Sequence, residues 1–181
     1  MDAAALLQLV LRCGAEKAAV ISQKQIILND AFFEICRKNQ CGMYNRCWVC
    51  PPDAGDIHAL MARVQSFDAG ILYQTVTPLE DSFDIEGMQT AAHNHAQLGQ
   101  RINAALEPNG TQFFHMSCGG CHLCSRCAKQ DGQPCRFPGK PLLPLEVCGV
   151  DVYSTTKSTP LQYVNGQNTV TYFGLLLFRE N

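Results

Sequence analysis

The sequence predicts an α+β or α/β fold in one domain over residues 1–181. We expect a sandwich of a small mixed sheet with helices, plus two Cys-rich loops at 36–52 and 118–138. Three observations predict it. Segments with helical periodicity alternate with short apolar, β-branched segments. A length of 181 residues suits one compact core. A hydrophobic content of 46% with 17% charged residues is ordinary for a globular protein.

The N-terminal part contains two predicted helices around an extended segment. Leucines and a valine at helical spacing predict a helix over 2–13, and we expect no signal peptide because no basic segment precedes its short apolar run. The run AAVISQKQIIL at 18–28 suits a strand or a hairpin. A short helix is expected over 31–38, with Asp30 as its N-cap.

The middle of the chain continues the alternation after a loop rich in cysteine, proline and glycine. Residues 56–67 show helical spacing behind a capping aspartate, and the run AGILYQTV at 69–76 is typical of a buried strand. A long helix is predicted over 84–106, and Pro108-Asn109-Gly110 is expected to end it. Residues 111–116 then predict a strand that leads into the second Cys-rich loop.

The C-terminal part contains one short helix, one turn and one strand. We predict the helix within 144–152, followed by an extended piece, and a turn at Tyr163–Gly166. The segment TVTYFGLLLF at 169–178 is typical of a core strand. The Cys-rich loops therefore lie where regular elements end, which is where functional residues commonly lie.

Composition and charge exclude several classes of function. A formal net charge of −2 provides no general attraction for nucleic acid or anionic lipid, and no apolar stretch is long enough to span a membrane. The 11 cysteines are an odd number in a chain too long to need disulfides for its core. We therefore expect a cytoplasmic protein whose clustered thiols bind metal.

The second Cys-rich loop carries the strongest metal-binding pattern. Its sequence is CGGCHLCSRCAKQDGQPCRFP. A C-x2-C-x2-C run lets three thiolates reach three irons of a [4Fe–4S] cluster, and a fourth ligand follows farther along the chain. Zinc is the alternative metal, although structural zinc sites more often use two CxxC pairs with a longer spacer. The predicted ligands are Cys121, Cys124, Cys127 and Cys135, with Cys118 as a spare or substitute.

The first Cys-rich loop is a second, less specific metal-binding pattern. It reads CRKNQCGMYNRCWVCPPDAG, and its spacing fits no standard zinc finger. The two prolines after Cys50 stiffen the chain beside a candidate ligand. Either this loop holds a second cluster, or the two loops converge on a shared one. In two-cluster ferredoxins a distal cysteine binds the other centre, so Cys50 and Cys135 are candidates for such an exchange.

Six short motifs relate the chain to a known family. They are CxxxxCGxY at 36–44, WxCPP at 48–52, CxxCxxC at 121–127, CRFP at 135–138, LExxGVDV at 145–152 and TVTYFGL at 169–175. From about residue 18 to the C-terminus, the chain resembles the DUF2284 family of predicted metal-binding proteins. The resemblance implies Cys36, Cys41 and Cys50 as metal ligands in the first loop, and iron–sulfur redox chemistry in anaerobic metabolism. The family usually has other residues at Cys47, Cys118 and Cys148.

Three functions fit these patterns. The favoured one is an electron carrier or redox subunit with one or two [4Fe–4S] clusters, to which a redox protein docks near the Cys-rich loops. The second is a redox enzyme in which an open iron of the first loop binds a small-molecule substrate. The third is a zinc-stabilised interaction module. His115, His122 and Glu146 are candidate proton carriers, or ordinary loop and capping residues. Oligomeric state is left open.

Overall fold

The computed structural model describes residues 2–106 and 113–180, which form a five-stranded mixed sheet with helices on both of its faces. This arrangement confirms the α+β class. The elements in chain order are α1 (Ala3–Arg12), β1 (Lys17–Ser22), α2 (Ala31–Arg37), α3 (Ile57–Gln65), β2 (Ala69–Pro78), α4 (Ile85–Leu106), β3 (Phe113–Ser117), β4 (Leu143–Pro144), α5 (Val152–Thr156) and β5 (Thr169–Phe178).

The strand order is β1-β2-β5-β3-β4, and every neighbouring pair is antiparallel except β3 with β4. The long β2–β5 ladder runs from Ala69 opposite Phe178 to Pro78 opposite Thr169. The short β3–β4 pair is parallel, with Met116 opposite Leu143. Because β3 precedes and β4 follows the second Cys-rich loop, their pairing brings the two ends of that loop side by side.

Each face of the sheet carries its own apolar core, because successive strand residues point to opposite faces. On one face, Ile71 and Leu176 pack with buried residues of α1 and α4, such as Leu98. On the other face, Leu72 and Leu175 pack with α3 and with the segment that follows the second Cys-rich loop. The two Cys-rich loops lie beyond these cores, where they are connected to α2, α3, β3 and β4.

A buried polar layer lies between the sheet and α4. The Tyr73 hydroxyl is 2.8 Å from His115 Nε2, and His115 Nδ1 is 2.6 Å from Asn103 Oδ1. If Asn103 Oδ1 accepts from Nδ1–H, then Nε2 accepts from the tyrosine. The Tyr73 ring lies against Gly174, where an added Cβ would overlap it. His115 is thus a structural residue of this layer.

Several predicted elements are confirmed, and three further details are decided by the structure. The predicted helix over 84–106 corresponds to α4, and the strand over 169–178 is β5. The segment 18–28 is no hairpin, because β1 ends at Ser22, whose N–H donates to Gln25 Oε1 and starts a 3-10 turn. The predicted end of the long helix at 108–110 and the first two residues of the strand predicted over 111–116 lie outside the described residues.

The other two details are corrections, and both concern helix starts. The helix predicted within 144–152 lies later, at α5, because Asp151 caps it by accepting from Ser154 N at 2.9 Å, while the preceding residues form a turn. The Asp30 side chain does not cap α2. Instead Asn29 Oδ1 accepts from Ala31 N at 3.0 Å. Within the described ranges, no helix has the length and apolarity needed to cross a bilayer.

Candidate metal centre

The first Cys-rich loop folds back on itself between α2 and α3. Asn39 and Asn45 have φ values of 52° and 58°, in the left-handed region that asparagine tolerates better than most residues. The Asn39 side chain accepts from Tyr44 N at 2.9 Å, and Asn45 N donates to Pro51 O at 2.8 Å. These turns direct Cys47, which is fully buried, toward the second loop.

The second Cys-rich loop is closed at its ends by the β3–β4 pair and organised inside by its own backbone. A 3-10 turn at Ala128–Asp131 follows Cys127 and ends at Gly132, whose φ is +66°. Farther along, the Phe137 N–H donates to Cys135 Sγ at 3.4 Å. An N–H directed at sulfur stabilises a thiolate and is common around iron–sulfur clusters.

Three polar contacts join the two loops. Trp48 Nε1 donates to Gln133 O at 3.2 Å, and Arg46 donates to the Gln130 side chain at 2.9 Å. Lys129 forms an ion pair with Asp53, and its ammonium lies 4.5 Å from the centre of the Trp48 ring. Trp48 therefore acts as a bridge between loops that are far apart in sequence.

The joined loops enclose a small cavity, here named the inter-loop cavity, with a volume of about 20 Å³. Cys47 and Cys50 form a buried apolar cluster with Val49, against which Cys121 and Cys127 pack. The structure therefore brings together the four ligands predicted in the second loop and adds a fifth thiol from the first. The cysteines lining the cavity are Cys47, Cys121, Cys124, Cys127 and Cys135.

A second, larger cavity lies on the other side of the first loop and is here named the first-loop cavity. It has a volume of about 420 Å³, and Cys36, Cys41 and Cys50 all line it. The three ligands implied for the first loop therefore share one cavity. Glu146, which follows β4, lines the same space. Cys47 and Cys50 connect the two cavities, because they belong to one buried cluster.

The thiols differ in how readily they lose their protons. A side-chain hydrogen bond with Cys50 lowers the pKa of Cys47 to about 5, against the opposing effect of burial. The same hydrogen bond, together with burial, raises the pKa of Cys50. Burial raises the pKa of Cys121 to about 11. The Cys47–Cys50 pair thus favours one shared proton, and metal binding here would release protons.

The three cysteines at whose positions the family usually has other residues, Cys47, Cys118 and Cys148, lie in different parts of the fold. Cys148 is fully buried in the main apolar core. Cys118 lies at the end of β3, close enough to Tyr73 and Tyr172 to affect their pKa values, and burial raises its own pKa to about 12. Of these three, only Cys47 lines the inter-loop cavity, and it was not among the predicted ligands because the family usually has another residue there. Its C-x2-C spacing to Cys50 is a signal that could have identified it.

The donor set fits a thiophilic metal centre. Thiolates bind zinc and iron–sulfur clusters, whereas magnesium and calcium prefer oxygen. Around a single zinc, four sulfurs lie about 3.8 Å apart, given Zn–S distances of about 2.3 Å. Within 2–106 and 113–180, no three Cys, His, Asp or Glu side chains are placed to hold one metal ion.

Comparison with known proteins gives one match. No curated protein and no solved structure matches the chain. A family model described as "Predicted metal-binding protein (DUF2284)" matches residues 19–178, which include both Cys-rich loops and all five strands except the first two residues of β1. The thiols of the inter-loop and first-loop cavities thus lie within the matched region, and the chain belongs to the DUF2284 family of predicted metal-binding proteins.

Proposed function

We propose that this protein binds iron–sulfur clusters at its two Cys-rich loops and transfers electrons to and from a redox partner. The observation that carries the proposal is the inter-loop cavity, where five thiols from two distant segments meet. Packing needs no such set of cysteines, whereas a [4Fe–4S] cluster needs four thiolates around one core. Bound clusters would supply one-electron redox chemistry, and the chain would supply thiolates, N–H donors and burial.

Several features of the chain support electron transfer. The two cavities share the Cys47–Cys50 cluster, so centres bound in them would be neighbours. Cys41 is exposed, which places a predicted ligand at the surface where a partner can approach. Arg46, Arg126 and Arg136 lie on the outside of the loops and would favour an acidic partner. A reducing, cytoplasmic environment suits the 11 free thiols.

Zinc is the second candidate, and the volume of the inter-loop cavity favours it. About 20 Å³ is room for roughly one water molecule, so the loops would have to widen more for a cluster than for one ion. In that case the metal would contribute folding free energy and no redox chemistry.

Metal analysis of anaerobically purified protein tests the proposal. We expect iron and acid-labile sulfide in near-equal amounts, about four or eight of each per chain for one or two [4Fe–4S] clusters. Cys124→Ser should lose about four irons. Cys118→Ser is the matched control, a cysteine of the same loop that lies outside the inter-loop cavity, and it should keep them. Zinc without sulfide, or full iron in Cys124→Ser, contradicts the proposal.

A further inference from the structure

The first-loop cavity has the size and lining of a small-molecule site. Its volume of about 420 Å³ falls in the range of about 300–1,000 Å³ that ligand pockets occupy. Such pockets are mostly apolar with a few polar groups that fix the ligand's orientation. The inter-loop cavity, at about 20 Å³, offers no comparable space. Cys36, Cys41 and Cys50 thus line a cavity that is large enough for a small molecule.

The walls of the first-loop cavity are mainly apolar. Phe32 and Ile35 of α2 form one side, and Val147 forms part of the other. None of the α2 residues is buried, and Ile35 is 52% exposed. A short helix that presents apolar side chains to an open cavity gains stability when an apolar ligand covers them.

The polar side chains that line the first-loop cavity are the three cysteines, Gln40 and Tyr44 of the first loop and, from the opposite segment, Glu146. Glu146 is close enough to Cys36 for its charge to contribute to raising the pKa of that thiol. Its carboxyl group is a hydrogen-bond acceptor within an otherwise apolar wall. Three cysteines are one fewer than the four ligands that usually complete a cluster or a structural zinc site. A ligand there would meet the carboxyl group and, with the proposed cluster bound, an iron that has a free coordination position.

We propose that the first-loop cavity binds a small, largely apolar organic molecule. It would place an N–H or O–H group at Glu146 and, with the proposed cluster bound, a lone-pair donor at an iron beside Cys36, Cys41 and Cys50. The metal contact rests on the proposed function, whereas the apolar contacts and the hydrogen bond to Glu146 rest on the cavity alone. The molecule is a substrate or effector of that centre.

Calorimetric titration under anaerobic conditions tests this proposal with two probes, 4-phenylimidazole and imidazole. Both carry a lone pair and an N–H, and only the first carries an apolar body. Burial of the phenyl ring should make 4-phenylimidazole bind roughly tenfold tighter or more. Glu146→Met, which removes the acceptor, should weaken binding of 4-phenylimidazole by roughly threefold to tenfold.

A pair of exposed isoleucines supplies the matched control. Ile35→Trp narrows the first-loop cavity and should abolish the preference for 4-phenylimidazole. Ile85→Trp, at a position 58% exposed on α4 and outside the lining, should preserve it. Equal binding of the two probes, or an unchanged preference in Ile35→Trp, overturns the cavity proposal.

Iron and sulfide are measured on the same samples so that the two proposals fail separately. Iron and sulfide present without a preference for the phenyl probe overturns the cavity proposal alone. A retained preference in protein that lacks iron and sulfide overturns the proposed function alone. Because the preference arises from the phenyl ring, it is measurable with whichever metal the chain holds.

Discussion

Replacement of Cys47 tests whether the two loops form one metal-binding unit. Cys47 and Cys148 are both 0% exposed, but Cys47 lies among the thiols of the inter-loop cavity and Cys148 lies in the main apolar core. Each can be changed to serine, which is nearly the same size and introduces a hydroxyl. The pair therefore separates the effect of losing a buried thiol from the effect of losing a thiol beside the metal.

The expected magnitudes differ. Burying a hydroxyl at Cys148 costs about 1–3 kcal/mol of folding free energy but leaves metal binding intact. Cys47 packs in one buried cluster with Cys50 and Cys127, so even as a neighbour of the ligands its loss should weaken metal binding about 10- to 100-fold. If Cys47 is itself a ligand, the affected centre should be lost altogether.

The assay is the rate at which a chelator removes metal from each holoprotein under anaerobic conditions, together with the metal content at the start. Cys47→Ser should release metal at least tenfold faster than wild type, and Cys148→Ser at close to the wild-type rate. Equal release from the two variants would refute the reasoning, because the position of Cys47 between the loops would then have no bearing on the metal.

Two further predictions concern the polar layer beneath α4. Tyr73→Phe removes the hydroxyl that lies 2.8 Å from His115 Nε2 and should lower the free energy of unfolding by about 1–3 kcal/mol, seen as a lower urea midpoint. The control is Tyr153→Phe, at a residue 55% exposed, which should change the free energy of unfolding by less than about 0.5 kcal/mol. His95 of α4 belongs to the same layer, because its ring stacks on Tyr73 with centroids 5.5 Å apart and its Nδ1 lies 2.8 Å from Thr75 Oγ1. Burial lowers the pKa of His95 to about 4 and that of His115 to about 3, from 6.5. Below pH 6.5 the unfolded chain therefore binds protons that the folded chain does not, so stability is full above pH 6.5 and falls as the pH drops toward 4. At pH 5 the loss in the free energy of unfolding should be about 2 kcal/mol per histidine. His95→Gln should therefore remove about half of the difference between the urea midpoints at pH 8 and pH 5. Midpoints that do not change with pH would contradict the burial of these two histidines in their neutral form.

Local patterns in the sequence determined most of the elements. Ten consecutive apolar and β-branched residues predicted β5, and helical spacing predicted α4, because both elements bury faces whose periodicity is visible in the residues themselves. For 18–28 the sequence allowed a strand or a hairpin, and only the structure decided in favour of the strand. Periodicity indicates that a segment is extended but does not identify the strand with which it pairs. The partner of β1 is β2, a strand about fifty residues away in the chain.

The metal-binding character was also evident from the sequence, since thiols at C-x2-C spacing are a local property of one loop. What a local pattern cannot contain is which thiols face one another. Cys118 and Cys121 stand in the same run, yet Cys118 lies toward Tyr73 and only Cys121 lines the inter-loop cavity. Cys47 was discounted, and the fold places it among the second-loop thiols.

The sequence by itself thus determined the α+β class, the main helices and strands, and the two segments rich in thiols. Only the tertiary structure decided that Cys47 joins the second loop and that the first-loop cavity opens beside Glu146. The physical reason is that element type follows from short-range periodicity and backbone preference. The meeting of residues 36–52 with residues 118–147 depends instead on the parallel β3–β4 pair and on the Trp48 bridge, which are contacts between segments far apart in the chain.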